Sequence, residues 1–169
     1  MNIHGSRTLE APREAVFAAI LDPNVLLAVI PGCQAIEQVS ATEYRGRISL
    51  RLPGMVGSYR TLVRVVEAEA PSDGRLEGEV TGALGSITGG ASFHLAGSDG
   101  GTVVDYEGQA TIGGPLARLD SRFVEGLAGS LINQGLGELD ARLRDRPPAG
   151  IVSAGAGSEN RDATKEAAG

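Results

Sequence analysis

Between Tyr44 and Ile112 apolar and polar residues alternate with a period of two, the pattern of strands buried on one face only. In the stretch 44–52, Arg45, Arg47 and Arg51 share one face, while Tyr44, Gly46, Ile48, Leu50 and Leu52 share the other. After a loop at 53–57, the stretch 59–69 alternates less cleanly, which predicts a β-bulge. Residues 75–83 set Leu76, Gly78, Val80 and Gly82 against Arg75, Glu77, Glu79 and Thr81. Residues 86–96 turn Ile87, Gly89, Ala91, Phe93 and Leu95 inward, and 102–112 do the same with Val104, Tyr106, Gly108, Ala110 and Ile112. Turns at 71–74 and 98–101, rich in Pro, Ser, Asp and Gly, separate these runs. The pattern is an antiparallel meander with one solvated face.

The flanks are helical. A strand ending near Leu9 meets Pro12, which suits the first turn of a short helix carrying Val16, Phe17 and Ile20. Asp22-Pro23 ends it and caps a second short helix containing Val25, Leu26, Leu27, Val29 and Ile30, which Pro31-Gly32 closes. At the other end Gly113-Gly114-Pro115 leads into a long helix from about Leu116 to Leu143, with Leu116, Leu119, Phe123, Leu127, Leu131 and Ile132 at helical spacing. Beyond Pro147-Pro148 the chain turns to Gly, Ala, Ser and scattered charges, so residues 1–146 read as one domain and 147–169 as a disordered tail. This order predicts an α+β domain in which a curved antiparallel sheet of about seven strands wraps the last helix, with two short helices after the first strand.

Composition adds one feature. Of 169 residues 41% are hydrophobic and 21% charged, enough for a single core. Glycine, at 25 residues, is about twice its usual share, and aromatics are only 4% with no tryptophan. Gly46, Gly78, Gly82, Gly89 and Gly108, with Ala91 and Ala110, all fall on the inward face of the meander. Interiors pack to a density of about 0.74–0.76, so something must fill the room these residues leave. Two readings are open: bends in a curved sheet with a helix pressed close through its own Gly126, Gly129, Gly135 and Gly137, or a central apolar cavity holding a ligand. The polar handles on this face are the hydroxyls of Tyr44, Tyr59 and Tyr106, which would suit a long apolar ligand with one or two hydrogen-bond acceptors rather than a sugar, phosphate or nucleotide.

The remaining chemistry is sparse. A net charge of -6 and a pI near 4.9 argue against nucleic acid. Cys33 is alone, so neither an internal disulfide nor a structural zinc site is expected; it reads as a small buried residue. His4 lies near the terminus and His94 on an outward position, both surface residues rather than catalysts. Gly82-Ala83-Leu84-Gly85 and Gly113-Gly114 lack the lysine of a phosphate loop, the sole lysine being Lys165. The carboxylates fall on turns and wet faces and suggest no metal site; a non-enzyme is expected. The first seven residues have no apolar signal region, and no run approaches the ~18 apolar residues of a membrane helix, so a cytoplasmic protein is expected. Met55, Val56, Leu84 and Leu116 should gather with the 30–33 connection at one end of the sheet, as a glycine-hinged apolar mouth or as core.

Asp22-Pro23, Ile30-Pro31-Gly32-Cys33, the Gly54/Gly57 loop, Gly90-Ala91 and the run Gly113 to Leu119 resemble, in order and spacing, the CoxG family (the G-subunit of carbon monoxide dehydrogenase) of the START/Bet v 1-like (SRPBCC) helix-grip superfamily. The resemblance covers residues 1 to about 146. It implies a helix-grip fold around an apolar cavity. It also implies a non-catalytic carrier that binds a respiratory quinone such as menaquinone as cargo and delivers it between the inner face of the plasma membrane and a carbon monoxide dehydrogenase-type molybdenum hydroxylase. Alternatives are a carrier of another lipid, or an assembly or recruitment factor for that enzyme. From the inward phase of the residues, the expected ligand contacts are Phe17, Leu26, Ile30, Tyr44, Ile48, Tyr59, Leu84, Ile87, Phe93, Tyr106, Leu116, Leu119, Phe123 and Leu127.

Overall fold

A computed structural model describes residues 1–51 and 56–145. The period-two runs become strands that pair in chain order: β3 (Glu43–Leu50), β4 (Gly57–Glu69), β5 (Asp73–Gly82), β6 (Gly85–Ser98) and β7 (Gly101–Gly113); ahead of them stands β2 (Cys33–Gln38), a strand that the alternation from Tyr44 onward does not cover. The opening strand, β1 (Asn2–Leu9), lies beside β7, giving a seven-stranded sheet in the order β1-β7-β6-β5-β4-β3-β2, every ladder antiparallel. Between β1 and β2 stand α1 (Arg13–Ile20) and α2 (Pro23–Val29), and after β7 a short 3-10 turn (Gly114–Arg118) precedes α3 (Ser121–Arg144). The expected α+β class is what the chain adopts.

Local sequence explains most of these boundaries. Asp22 accepts a hydrogen bond from Asn24 N and caps α2, with Pro23 in its first turn. Asp99 and Gly100 both have positive φ, at 50° and 83°, as a tight right-twisting hairpin between β6 and β7 requires. The bulge expected in β4 is present: its register against β5 shifts between Val65 and Glu67.

Two expectations change. The long helix does not begin at Leu116. Pro115 starts a separate 3-10 turn, Leu119 is extended with ψ 149°, and Asp120 caps α3 by accepting from Arg122 N. Leu116 and Leu119 therefore sit on a connector, not on the helix. Cys33, expected as a small buried residue, opens β2 and is only half-buried, with its Sγ donating to Ala35 O at 3.6 Å. Residues 52–55, with Leu52 and Met55 among them, and the 147–169 tail lie outside the described residues.

Helix α3 runs along β1 and against α1 and α2, with no comparable backbone approach to β3–β6. Arg7 donates to Asn133 O at 2.9 Å, and Glu10 N donates to Asp140 Oδ1 at 2.9 Å, tying the edge strand to the helix. The helix glycines divide by position. A Cβ on Gly135 would lie 3.5 Å from Val29 O, and one on Gly137 3.1 Å from the Arg7 guanidinium. Gly126 and Gly129 face nothing within 4 Å, so close packing does not account for them. Among the described residues no helix is long and apolar enough to cross a membrane.

The core is split. One cluster joins Leu9, Val16, Phe17, Val25, Val29, Leu95, Val104 and Leu139, where α1, α2 and the end of α3 meet the sheet. The other centres on Tyr59 and Leu116, with Leu50, Val80, Leu84, Ile87, Ile112, Leu119 and Leu127 around them.

Candidate ligand-binding site

Register decides what lies between the two clusters. Directly opposed residues of an antiparallel ladder point to the same face, so the pairings sort the inward side chains into rows across the strands. Ile112, Ile87, Val80 and Thr61 form a large-residue row belonging to the Tyr59 end. Gly5, Tyr106, Phe93 and Gly74 form an aromatic row at the α1 end. Between these run two rows made largely of the smallest residues: Ala110, Gly89, Gly78 and Val63, then Ile3, Gly108, Ala91, Leu76 and Val65.

This strip faces α3 yet is not covered. Gly89 and Ala91 are exposed despite their inward phase, and Ile3, Val63, Leu76, Gly78, Gly108 and Ala110 are only half-buried. At about 3.3 Å per residue and about 4.8 Å per strand, two rows over five strands span roughly 7 by 19 Å. The structure thus leaves an apolar, small-residue floor between two packed ends.

The inward glycines do different jobs. Gly5, Gly74 and Gly82 lie beneath the rings of their cross-strand partners Tyr106, Phe93 and Tyr59, where a Cβ would collide with the ring. Those three are filled positions. Gly46 and Gly89 press on neighbouring backbone, Ala35 O and Gln109 O respectively, so the sheet itself needs them. Gly78 would meet only ordinary contacts, with Leu62 O at 3.4 Å.

The expected contact residues separate into groups. Phe17, Ile30, Phe93 and Tyr106 pack in the α1-end cluster, with the Phe17 and Phe93 rings 5.9 Å apart and tilted by 54°. Tyr59, Leu84, Ile87, Leu116, Leu119 and Leu127 assemble at the other end. Leu26 and Ile48 are half-buried and belong to neither cluster, and Phe123, on the first turn of α3, is 39% exposed. Sequence reasoning marked Gly78, Gly89, Gly108, Ala91 and Ala110 as the inward vacancy, but drew its contact residues from the large side chains at the two ends and left Leu76 out of them. Ile3 and Val63 were missed because nothing local in β1 or the bulged β4 marks which phase is inward.

The three tyrosines also part company. Tyr44 is buried and its hydroxyl donates to Leu21 O at 2.6 Å, which ties β3 to the end of α1 and leaves that hydroxyl engaged. Burial, with the nearby Asp22 charge second, pushes its pKa up. Tyr59 is 1% exposed, and its hydroxyl has no hydrogen-bond partner among the described residues. Burial pushes its pKa up as well. Tyr106 is half-buried over Gly5. Burial also raises the pKa of the Cys33 thiol, against a smaller lowering by the Ala35 backbone.

The loop end of the sheet is assembled as the strand reversals require. Leu116 N donates to Leu84 O at 2.9 Å, and Ser49 N donates to Gly32 O at 2.8 Å. Gly32, with φ 78°, stands where a Cβ would collide with Ser49 O. Leu84 and Leu116 fold into core here, while Val56, next to Gly57 at the start of β4, is 65% exposed.

The solvated face is chemically different. A shallow concavity of about 1290 Å³ is lined by outward residues such as Arg64, Arg75, Glu77, Glu79, Glu107 and Gln109, together with residues of the strip itself, among them Leu76, Gly78, Gly89, Ala91, Gly108 and Ala110. A second, of about 690 Å³, holds His94, whose Nδ1 lies 2.8 Å from Asp73 Oδ1. That hydrogen bond, with one from Ser72, lowers the Asp73 pKa. No cluster of three metal-ligating side chains occurs among the described residues.

A long helix cradled by a curved antiparallel sheet, with an uncovered apolar floor between, defines a START-like helix-grip domain. Solved structures share this fold: a conserved protein from Geobacillus kaustophilus (TM-score 0.82, 23% identity, covering 85% of this chain and 95% of that one) and a START superfamily protein from Mycobacterium smegmatis (TM-score 0.66, 11% identity, 85% and 97%). A protein from Chromobacterium violaceum is similar as well (TM-score 0.66, 18% identity, 86% and 99%). No curated protein matches the chain. The family model for CoxG, the G-subunit of carbon monoxide dehydrogenase, matches residues 5–144, and the chain belongs to that family.

Proposed function

We propose that this protein is a non-catalytic carrier whose cargo is a respiratory quinone of the menaquinone type, exchanged between the inner membrane face and a carbon monoxide dehydrogenase-type molybdenum hydroxylase. The observation that carries the reading is the uncovered strip of Gly and Ala rows facing α3. A floor without side chains, walled by leucines and isoleucines, matches a polyprenyl chain, whose burial gains about 25 cal/mol per Å² of apolar surface. The family name supplies the enzyme. Val56, 65% exposed at the entry to β4, and Phe123, 39% exposed on the first turn of α3 after the connector, are open apolar side chains suited to membrane contact.

The test is native mass spectrometry with organic extraction on protein from a menaquinone-producing host. A co-purifying menaquinone is expected. Protein that is empty, and stays empty with added quinone, would sink the carrier reading.

The charged side chains of the outer face, Arg64, Arg75, Glu77, Glu79 and Glu107 among them, favour a second reading, a recruitment factor that docks the enzyme through polar contacts. Ala91→Phe separates the two, because Ala91 already carries a Cβ on the open strip and a ring there fills the floor. Cargo uptake should fail in this variant; enzyme capture that persists at full strength alongside lost transfer would place recruitment on the outer face.

A further inference from the structure

Tyr59 is the one tyrosine whose hydroxyl is both buried and unpartnered among the described residues. Its ring lies over Gly82 and shares a buried cluster with Leu116, against which only apolar side chains such as Leu50, Ile87 and Leu119 are packed, so the hydroxyl is held in an apolar surround. Buried hydroxyls are nearly always hydrogen-bonded, because an unsatisfied one loses its water without compensation. Phenylalanine would serve the packing equally well. The contrast with Tyr44 is direct: that hydroxyl, also buried, has Leu21 O at 2.6 Å.

We infer that the Tyr59 hydroxyl donates to a carbonyl oxygen of the cargo, so that the ligand's polar head lies at the loop end and its chain extends over the Gly and Ala rows toward Phe93. This rests on the carrier reading and adds to it an orientation and a selecting group. Tyr59 projects from the inward row that it shares with Ile48 and Gly82, next to the Ile112–Val80 row that bounds the strip. An acceptor that reaches it displaces leucine side chains rather than water. The shared chemistry is a carbonyl on an apolar chain, which both a quinone and an acylglycerol offer.

The experiment compares wild type, Tyr59→Phe and Tyr44→Phe. Each is titrated with a short-tailed menaquinone, a diacylglycerol and squalene, which has no acceptor, and each is melted without ligand. Tyr59→Phe should weaken the preferred carbonyl ligand about tenfold, leave squalene unchanged, and melt without ligand at or above the wild-type temperature. The loss will fall on menaquinone if the head is a quinone and on diacylglycerol if it is an ester. Equal binding of carbonyl ligands by wild type and Tyr59→Phe overturns the inference, as does a Tyr59→Phe melt several degrees lower, which would mean the hydroxyl already has a partner. Tyr44→Phe should lower the melt and keep wild-type selectivity; a selectivity change there would move the role to Tyr44. A wild type that takes up none of the three defeats the carrier reading itself and this inference with it, an outcome distinct from lost selectivity.

Discussion

At the residue scale, two tyrosines of similar burial hold their protons for the same main reason but differ in what their hydroxyls meet. Tyr44 is buried against a backbone acceptor, so removing its hydroxyl strands Leu21 O; Tyr44→Phe should cost about 1 kcal/mol in denaturant unfolding. Both Tyr44 and Tyr59 have pKa values raised above 10.0 by burial. The folded state therefore keeps phenolic protons that the unfolded chain releases. Their contribution is complete below pH 10 and is lost as the pH rises through the folded values. Melting temperature should fall more steeply above about pH 10 in wild type than in the Tyr44→Phe, Tyr59→Phe double variant; parallel curves would exclude this linkage. Cys33 is half-buried with a raised pKa, so its thiolate is scarce. Iodoacetamide should modify it more slowly at neutral pH than it modifies free cysteine, and equal rates would count against the placement.

Among the elements, α3 depends on its start. Asp120 holds the first turn by accepting from Arg122 N, after a 3-10 turn has redirected the chain from β7. Asp120→Ala should cost about 1 kcal/mol of stability, read from the denaturant midpoint at unchanged slope. The joint was only partly legible in sequence. Leu116, Leu119, Phe123 and Leu127 share helical spacing with the true helix, and periodicity alone cannot tell a continuous helix from a turn plus a helix. Asp120, a strong capping residue followed by Ser121, was the signal that could have set the boundary. The strands were more legible because alternation, turn residues and length agree: the hairpin at Asp99-Gly100 and the β4 bulge lie where the pattern puts them.

For the whole molecule, the question is why a sheet rich in glycine does not collapse onto its helix. The helix is tethered at one side, to β1 through Arg7 and Glu10 and to α2 at Gly135, and at its start through the connector to Leu84. Two packed clusters act as end walls and hold the span between them open. Filling that span should therefore be structurally tolerated. Ala91→Phe should melt within a few degrees of wild type while losing uptake of an apolar ligand. Gly89→Leu should unfold, because its Cβ would collide with Gln109 O. Reversed outcomes would place Ala91 outside the cavity.

The sequence by itself determined the meander strands β3 to β7, the inward phase of all of them but the bulged β4, the two short helices, the α+β class and the family, since each follows from local periodicity or from residues in order along the chain. Only the tertiary structure decided which inward glycines are filled and which are vacant. Gly82 and Gly78 look alike in the sequence, and both sit on the inward face of β5. Register puts Tyr59 over Gly82 and Val63 beside Gly78. Likewise three tyrosines on the inward face became one structural tie, one ring over glycine and one stranded hydroxyl. Those distinctions depend on cross-strand pairing and on where the helix comes to rest, and both are contacts between residues far apart in the chain.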